Sequence, residues 1–230
     1  MDGQLYQYKT PIKEMVARYE KIYTAAINDI FQARGLHNQW LGPDIKCITK
    51  DLIREVVAGF AFTVQWVFDP LPDEREKPAA KMVESYPEDS IIVVDTGADQ
   101  ISGFWGELAT TVCMRNGVRG AVINGGAKDT GFVKKMGFPI FCKFSSPVDG
   151  FYRSRLRAWQ VPIWFNDIQI NPGDMIVGDN DGVLVIPQDI AEDILIEAEQ
   201  TSEMETITRG LLKEGISADI ASEKTGRKDL

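Results

Sequence analysis

The chain has 230 residues, with 25 lysines and arginines against 34 aspartates and glutamates, which gives a formal net charge of −9 at pH 7. Its single histidine, His37, excludes a zinc site with two or three histidine ligands and leaves one imidazole for any Ser-His-Asp or Cys-His device. His37 lies in a turn-like stretch with no nucleophile beside it, which disfavours a catalytic role. We therefore expect any chemistry to use carboxylates, lysines, arginines, backbone amides or a hard metal ion.

The composition is that of a packed domain, with 44% hydrophobic and 26% charged residues. The acidic charge and the lack of a long Lys/Arg run disfavour nucleic acid and anionic membranes as partners. The first residues lack the pattern of a signal peptide, and no apolar run approaches the roughly 18 residues that span a bilayer. Cys47, Cys113 and Cys142 are odd in number and form no C-x-x-C pair, which predicts reduced thiols in a cytoplasmic protein.

The N-terminal part reads as two helices, a strand and a loop. Apolar residues at helical spacing predict a helix over 12–19, and a second helix is predicted from Thr24 to a stop at Gly35. The β-rich stretch 59–67 predicts a strand. Three prolines among charged residues predict a surface loop over 69–78, with a domain linker as the second choice.

The middle of the chain has a β–α–β–α–β rhythm. Strands are predicted over 91–95, 120–124 and 140–144. Between them, one helix is predicted from about Glu107 to a stop at Asn116-Gly117, and a brief second helix ends at Met136. These βαβ units predict parallel neighbouring strands.

The C-terminal part changes to short strands and then a long helix. Strands over 161–165, 168–170, 175–177 and 183–186 alternate with turns, and a helix is predicted over about 189–214. Asp179-Asn180-Asp181-Gly182 has the start of a calcium loop without its later ligands, so a hairpin turn is the preferred interpretation. With no internal repeat, the chain is predicted to form one α/β domain, 1–230, with a mixed sheet and helical N- and C-terminal segments.

Two loops after predicted strands are candidates for a functional site. Gly103-Phe104-Trp105-Gly106-Glu107-Leu108 leads into a helix whose N-terminus exposes backbone N–H groups. Asn124-Gly125-Gly126-Ala127-Lys128-Asp129 places a cation beside a hard oxygen ligand. Each loop alone is better explained as an ordinary turn. Because parallel strands bring both loops to the same sheet edge, we expect them to form one crevice.

This pair of loops resembles a known family signature. Glu107 and Lys128-Asp129 are separated by the 20 residues 108–127, and Gly-Glu-x20-Lys/Arg-Asp is similar to the signature of the RraA-like family. That family includes divalent-metal-dependent class II aldolases acting on 4-hydroxy-4-methyl-2-oxoglutarate or 4-carboxy-4-hydroxy-2-oxoadipate. Segments resembling the family's core follow in the same order, so that the resemblance covers about 23–200; they are 24–29, 59–64, 137–141 and 172–183.

The resemblance implies a fold and a set of residue roles. The fold would be a single-domain β/β/α sandwich of the swivelling β/β/α type. Asp129 would ligate Mg²⁺ or Mn²⁺ directly and Glu107 would hold the ion through water. The backbone around Gly106, Glu107, Leu108 and Ala109, together with Lys128, would bind the substrate. Lys128 stands where the aldolases usually have arginine. It therefore supplies a localised positive charge but cannot make the two parallel hydrogen bonds that arginine makes to a carboxylate.

The implied chemistry is cleavage of a 4-hydroxy-2-oxo acid to pyruvate through a metal-stabilised enolate, with oxaloacetate decarboxylation through the same enolate. The family typically forms trimers or hexamers, in which an acidic residue of a neighbouring C-terminal helix can reach the metal site; Glu199, Glu203 and Glu205 are the candidates. Arg153, Arg155 and Arg157 are expected to bind a distal carboxylate, to form a subunit contact or simply to line a solvated strand. Two alternatives remain, a Schiff-base aldolase using Lys128 and a non-catalytic regulator of RNase E.

Overall fold

The computed structural model describes residues 8–49, 55–69 and 78–226. Most of the proline-rich segment predicted as a surface loop lies outside the described residues. Pro78, however, belongs to a helix and not to that loop, which fits the preference for proline in a first helical turn. The helices are α1 (Ile12–Tyr19), α2 (Thr24–Ala33), α3 (Pro78–Glu84), α4 (Glu107–Asn116), α5 (Thr130–Met136), α6 (Ala191–Lys213) and α7 (Ala218–Thr225), with a short 3₁₀ helix over Gly150–Tyr152.

One eight-stranded sheet forms the centre of the molecule, in the order β1-β5-β4-β3-β2-β9-β10, and β6 pairs with the far half of β2. A separate hairpin is made by β7 and β8. The strands are β1 (Lys46–Cys47), β2 (Val57–Phe68), β3 (Ser90–Asp95), β4 (Gly120–Ala127), β5 (Ile140–Ser145), β6 (Ser154–Trp159), β7 (Ile163–Phe165), β8 (Ile168–Ile170), β9 (Met175–Gly178) and β10 (Val183–Ile186).

The parallel core consists of β2, β3, β4 and β5, as the βαβ pattern predicts. Alternate residues of β3 enter opposite faces: Ile91 and Val93 pack against the β7–β8 hairpin, while Ile92 and Val94 pack under α3, α4 and α5. Burial on both faces explains why this strand is apolar throughout. The layering is therefore hairpin, sheet and helices.

The antiparallel strands and the terminal helices form the other end. β9 and β10 pair around the turn at 179–182, which confirms the predicted hairpin. Their outer face packs against α1, α2 and α6, so the predicted helical termini share one core. The helix predicted over about 189–214 is α6, whereas the short α7 was missed. Among the described residues no helix combines the length and the apolar character needed to cross a bilayer.

Candidate active site

The two candidate loops meet at the ends of β3 and β4, as the sequence predicts. Gly103 forms a parallel bridge with Gly126, and the Phe104 N–H donates to the Gly126 carbonyl at 2.9 Å. The Lys128 N–H in turn donates to the Trp105 carbonyl at 2.7 Å. These backbone bonds fix the start of α4 against the start of α5.

The second loop is shorter than the sequence predicts. β4 continues through Ala127, so Gly125 and Gly126 belong to the strand and only Lys128 and Asp129 form the loop. Residue 126 must be glycine for lack of space, because a Cβ there would stand 2.7 Å from the Ser102 carbonyl oxygen and 2.5 Å from the Phe144 ring. Glycine here permits neighbouring backbone to approach a buried strand.

Asp129 is the carboxylate at the centre of the site. Its backbone is in the left-handed region, with φ of 55°, and its side chain makes no capping bond to α5 although it occupies the N-cap position. Instead, Oδ2 lies 3.4 Å from the Glu107 backbone nitrogen and packs directly on Gly106. The carboxylate of this exposed residue is thus directed toward the N-terminus of α4.

Gly106, Glu107, Leu108 and Ala109 form the N-terminal end of α4. The first N–H groups of a helix have no intrahelical acceptor, so those of Glu107, Leu108 and Ala109 are directed out of the helix end. The Glu107 side chain is partly exposed and the Leu108 side chain is exposed. This end of α4 offers backbone donors to an anion.

Lys128 is held by a residue that the sequence did not single out. Its Nζ lies 2.5 Å from Oδ2 of Asp149, whose Oδ1 accepts the Phe151 N–H at 2.8 Å. The hydrogen bond to Asp149 raises the pKa of Lys128, against a smaller opposing effect of burial. Burial acts to raise the pKa of Asp149, but the bonds from Lys128 and Phe151 outweigh it and lower this pKa. Both groups are therefore ionised at neutral pH.

A cleft of about 230 Å³ opens beside these residues. Asp149 and Gly150 follow β5 and close one side, which makes β5 a third contributor to the site. The lining residues are Trp66, Gly103, Phe104, Trp105, Gly106, Leu108, Ala109, Lys128, Asp129, Asp149, Gly150 and Phe151. Trp105, predicted to lie in the crevice, is nearly fully buried, with its ring stacked between Tyr86 and Phe138.

Other predicted residues lie elsewhere in the chain. Arg155 contacts Asp69 at 3.2 Å and Arg153 is 3.9 Å from Asp99, so neither lines the cleft. Arg157 is exposed on β6. His37 is exposed and bonded to Gln32.

The three glutamates of α6 also lie outside the cleft of their own chain. Glu199 accepts two hydrogen bonds of 2.7 Å from Arg18, and Glu205 is buried near Arg209. Glu203 is exposed. Any contact of these residues with the site would have to come from another copy of the chain.

The family resemblance implies a divalent metal ion, and the side chains at the site can be tested for whether they would bind one. Among the described residues no group of three or more His, Cys, Asp or Glu side chains converges on one point. Asp129 is exposed, and its carboxylate is a hard oxygen donor that lines the cleft. One carboxylate beside an open cleft suits Mg²⁺, which keeps several water ligands and uses one or two carboxylates. The residues therefore fit a water-rich magnesium or manganese site.

Comparison with known proteins identifies the family. The family model RraA-like, described as Aldolase/RraA, matches residues 24–185. The chain belongs to the RraA-like family. The match spans both candidate loops and confirms the resemblance drawn from Glu107, Lys128 and Asp129.

Two sequence relatives show how this RraA-like chain compares with proteins of different length. Protein DlpA of Legionella pneumophila is 31% identical over 206 residues, which are 88% of this chain and 31% of that protein, so the chain spans about a third of its length. A protein of Halalkalibacterium halodurans, under the provisional name 4-hydroxy-4-methyl-2-oxoglutarate aldolase, is 30% identical over 81% of this chain and 83% of its own length.

A solved RraA structure confirms the fold. Streptomyces coelicolor RraAS2, described as an unusual member of the RNase ES inhibitor RraA protein family, superposes with a TM-score of 0.74 at 22% identity. The match covers 88% of this chain and 99% of that one. The predicted single α/β domain with helices at both ends is confirmed.

Proposed function

We propose that this protein is a divalent-metal-dependent aldolase that cleaves 4-hydroxy-2-oxo acids and releases pyruvate. The observation that carries the proposal is the Asp129 carboxylate directed at the N-terminal N–H groups of α4, with Lys128 in the same cleft. The aldolase names of relatives such as the H. halodurans protein support the same class of reaction.

Residues of the cleft, together with Glu107 beside it, account for the steps of such a cleavage. Asp129 would hold Mg²⁺ or Mn²⁺ directly and Glu107 would hold it through water; the bound ion supplies Lewis acidity that stabilises an enolate. The N–H groups of Leu108 and Ala109 bind the substrate's C1 carboxylate at the helix end. Lys128 places positive charge near the 2-oxo oxygen, where negative charge develops.

Atoms and electrons balance in a simple retro-aldol sequence. Glu107 removes the proton of the 4-hydroxyl group through water, the C3–C4 bond breaks, and its electron pair forms the pyruvate enolate while C4 leaves as a carbonyl product. Protonation at C3 then gives pyruvate. Oxaloacetate that loses CO₂ would pass through the same enolate, so the proposal includes decarboxylation of oxaloacetate.

The structure's ion pair disfavours the Schiff-base alternative. A nucleophilic lysine must be neutral, and enzymes achieve this by lowering its pKa. Asp149 does the opposite, because its hydrogen bond raises the pKa of Lys128. Borohydride treatment in the presence of pyruvate is expected to leave Lys128 unmodified, and a covalent adduct at Lys128 would favour the class I mechanism.

A non-catalytic regulatory role is the second candidate, because the RraAS2 structure shares the fold. Such a role needs neither a metal ion nor Asp129. Inhibition of an RNase E-type ribonuclease by Asp129→Ala protein, without aldolase turnover in the wild type, would support regulation over catalysis.

The decisive experiment measures pyruvate release from a panel of 4-hydroxy-2-oxo acids and from oxaloacetate. We expect EDTA to abolish turnover, Mg²⁺ or Mn²⁺ to restore it, and Asp129→Ala to lower kcat/KM at least about a hundredfold, where each tenfold corresponds to about 1.4 kcal/mol. Asp167→Ala is the matched control, since it removes an exposed aspartate from the β7–β8 turn. Turnover that survives exhaustive chelation would refute the metal-dependent mechanism.

A further inference from the structure

The charges that line the cleft are unfavourable for a second substrate carboxylate. Among the described residues that line it, Lys128 is the one cation, and Asp129 and Asp149 are the two anions. The Lys128 charge is already compensated by the 2.5 Å contact with Asp149. Both partners of this pair are partly shielded from solvent, with 30% and 39% of their side-chain surfaces exposed, so screening by water is incomplete.

The rest of the cleft wall is apolar and mostly aromatic. Phe104 packs edge-on against Trp66 with ring centroids 5.8 Å apart, and Phe151 and Leu108 are partly or largely exposed at the opening. A Cβ on Gly150 would stand 3.0 Å from the Phe104 ring, so the Gly150 backbone packs directly on this ring. A flat apolar group in the cleft would gain both hydrophobic burial and aromatic contact.

From this combination we infer that the cleft selects 4-hydroxy-2-oxo monocarboxylates with an apolar, preferably aryl, substituent at C4, and that Asp149 enforces this choice. The inference rests on the proposed aldolase function and narrows its substrate class: dicarboxylates, oxaloacetate among them, are expected to be slow substrates. With 4-hydroxy-2-oxo-4-phenylbutanoate, the C3–C4 bond breaks, the 4-hydroxyl proton leaves, C4 becomes the carbonyl carbon of benzaldehyde, and C3 gains a proton to give pyruvate.

Asp149 acts on selectivity in two ways. It adds negative charge to the wall, which repels a distal carboxylate such as that of 4-hydroxy-4-methyl-2-oxoglutarate. Its charge also offsets that of Lys128, so the cleft has little net positive charge to attract such a carboxylate. Replacing Asp149 by asparagine keeps the shape of the side chain but removes its negative charge, so the positive charge of Lys128 is no longer offset.

The test compares kcat/KM for 4-hydroxy-2-oxo-4-phenylbutanoate and for 4-hydroxy-4-methyl-2-oxoglutarate in the presence of Mg²⁺. The wild-type protein is expected to favour the phenyl substrate at least about tenfold. Asp149→Asn is expected to shift this ratio at least about tenfold toward the dicarboxylate, mainly through a lower KM for that substrate. Glu197→Gln is the matched control, because it removes the carboxylate partner of Arg34 away from the cleft and should leave the ratio unchanged.

Binding of unreactive ligands gives a readout that does not depend on turnover. 2-Oxoglutarate and 2-oxohexanoate lack the 4-hydroxyl group, so they cannot be cleaved by a retro-aldol step. In calorimetry with Mg²⁺, the wild type should bind 2-oxohexanoate more tightly, and Asp149→Asn should gain affinity for 2-oxoglutarate.

The outcomes separate the two levels of the proposal. Turnover that favours the dicarboxylate in the wild type, or a ratio unchanged by Asp149→Asn, would overturn the selectivity while leaving the aldolase function standing. No turnover of either substrate with Mg²⁺ or Mn²⁺ would overturn the aldolase function and the selectivity with it.

Discussion

Gly106 shapes the site through the side chain that it lacks. Its φ is extended, so glycine is not needed there for backbone freedom. It is needed because a Cβ would overlap Oδ2 of Asp129 and press on the Lys128 side chain. Gly106, just before α4, and Asp129, just before α5, therefore pack so closely that a side chain at position 106 would displace the carboxylate.

Substitution of Gly106 tests this close approach. Gly106→Ala is expected to displace the Asp129 carboxylate and to lower pyruvate release at least about tenfold, since small misplacements of catalytic groups are costly. Gly131→Ala is the control: nothing lies within 4 Å of its Cβ position in α5, so activity should persist and stability should rise by about 0.5–1 kcal/mol. Full activity of Gly106→Ala would show that Asp129 need not occupy its observed position.

Sequence alone identifies part of the site at this scale. Gly106, Glu107, Lys128 and Asp129 follow two consecutive parallel strands, so topology predicts that they converge. Asp149 was missed because it follows β5, where the sequence shows only an ordinary Asp-Gly turn, and its bond to Lys128 depends on three-dimensional placement.

α2 begins without a capping side chain of its own. Tyr23 occupies the N-cap position and makes no side-chain bond. Asp179, in the turn between β9 and β10, accepts instead from the Thr24 N–H and the Thr24 hydroxyl, both at 2.8 Å. It also accepts the Asp181 N–H at 2.9 Å, so one buried carboxylate joins the hairpin to the helix.

Removal of this carboxylate should destabilise the fold. Asp179→Ala leaves buried donors of Thr24 unpaired, so the free energy of unfolding is expected to fall by about 1–3 kcal/mol in urea titrations. Asp29→Ala, on the exposed face of the same helix, should change it by no more than about 0.5 kcal/mol. Equal effects of the two substitutions would contradict a capping role for Asp179.

The predictability of the elements follows from their patterns. Helical spacing in α1 and the apolar run of β3 are local signals, and both elements form as predicted. The end of β4 was misplaced because Gly125-Gly126 has the composition of a turn, while its strand geometry is imposed by packing against Thr96, Ser102 and Phe144. The helix α7 is mostly polar, and its buried Ala221 and Thr225 give too weak a pattern to predict.

At the scale of the whole molecule, α6 and the cleft are parts of different layers. α6 packs with α1 and α2 on β9 and β10, whereas the cleft lies at the ends of β3, β4 and β5. Of the three glutamates that the family resemblance suggested, Glu203 is exposed, and its side chain makes no hydrogen bond or ion pair within the described part of the chain. We propose that the protein forms a homotrimer or homohexamer in which Glu203 reaches the site of a neighbouring subunit.

Two measurements test this assembly. Light scattering should give a mass of three or six times that of the 25.7 kDa chain. Asp129→Asn and Glu203→Gln should each be inactive as pure proteins. When the two variants are unfolded and refolded together in equal amounts, about one quarter of the sites should recover activity. At random mixing, this is the fraction of sites in which an intact Asp129 meets an intact Glu203 from the neighbouring subunit. A shared site is required for this recovery. Mixed oligomers that form but stay inactive would show that Glu203 does not complete the site of a neighbouring subunit.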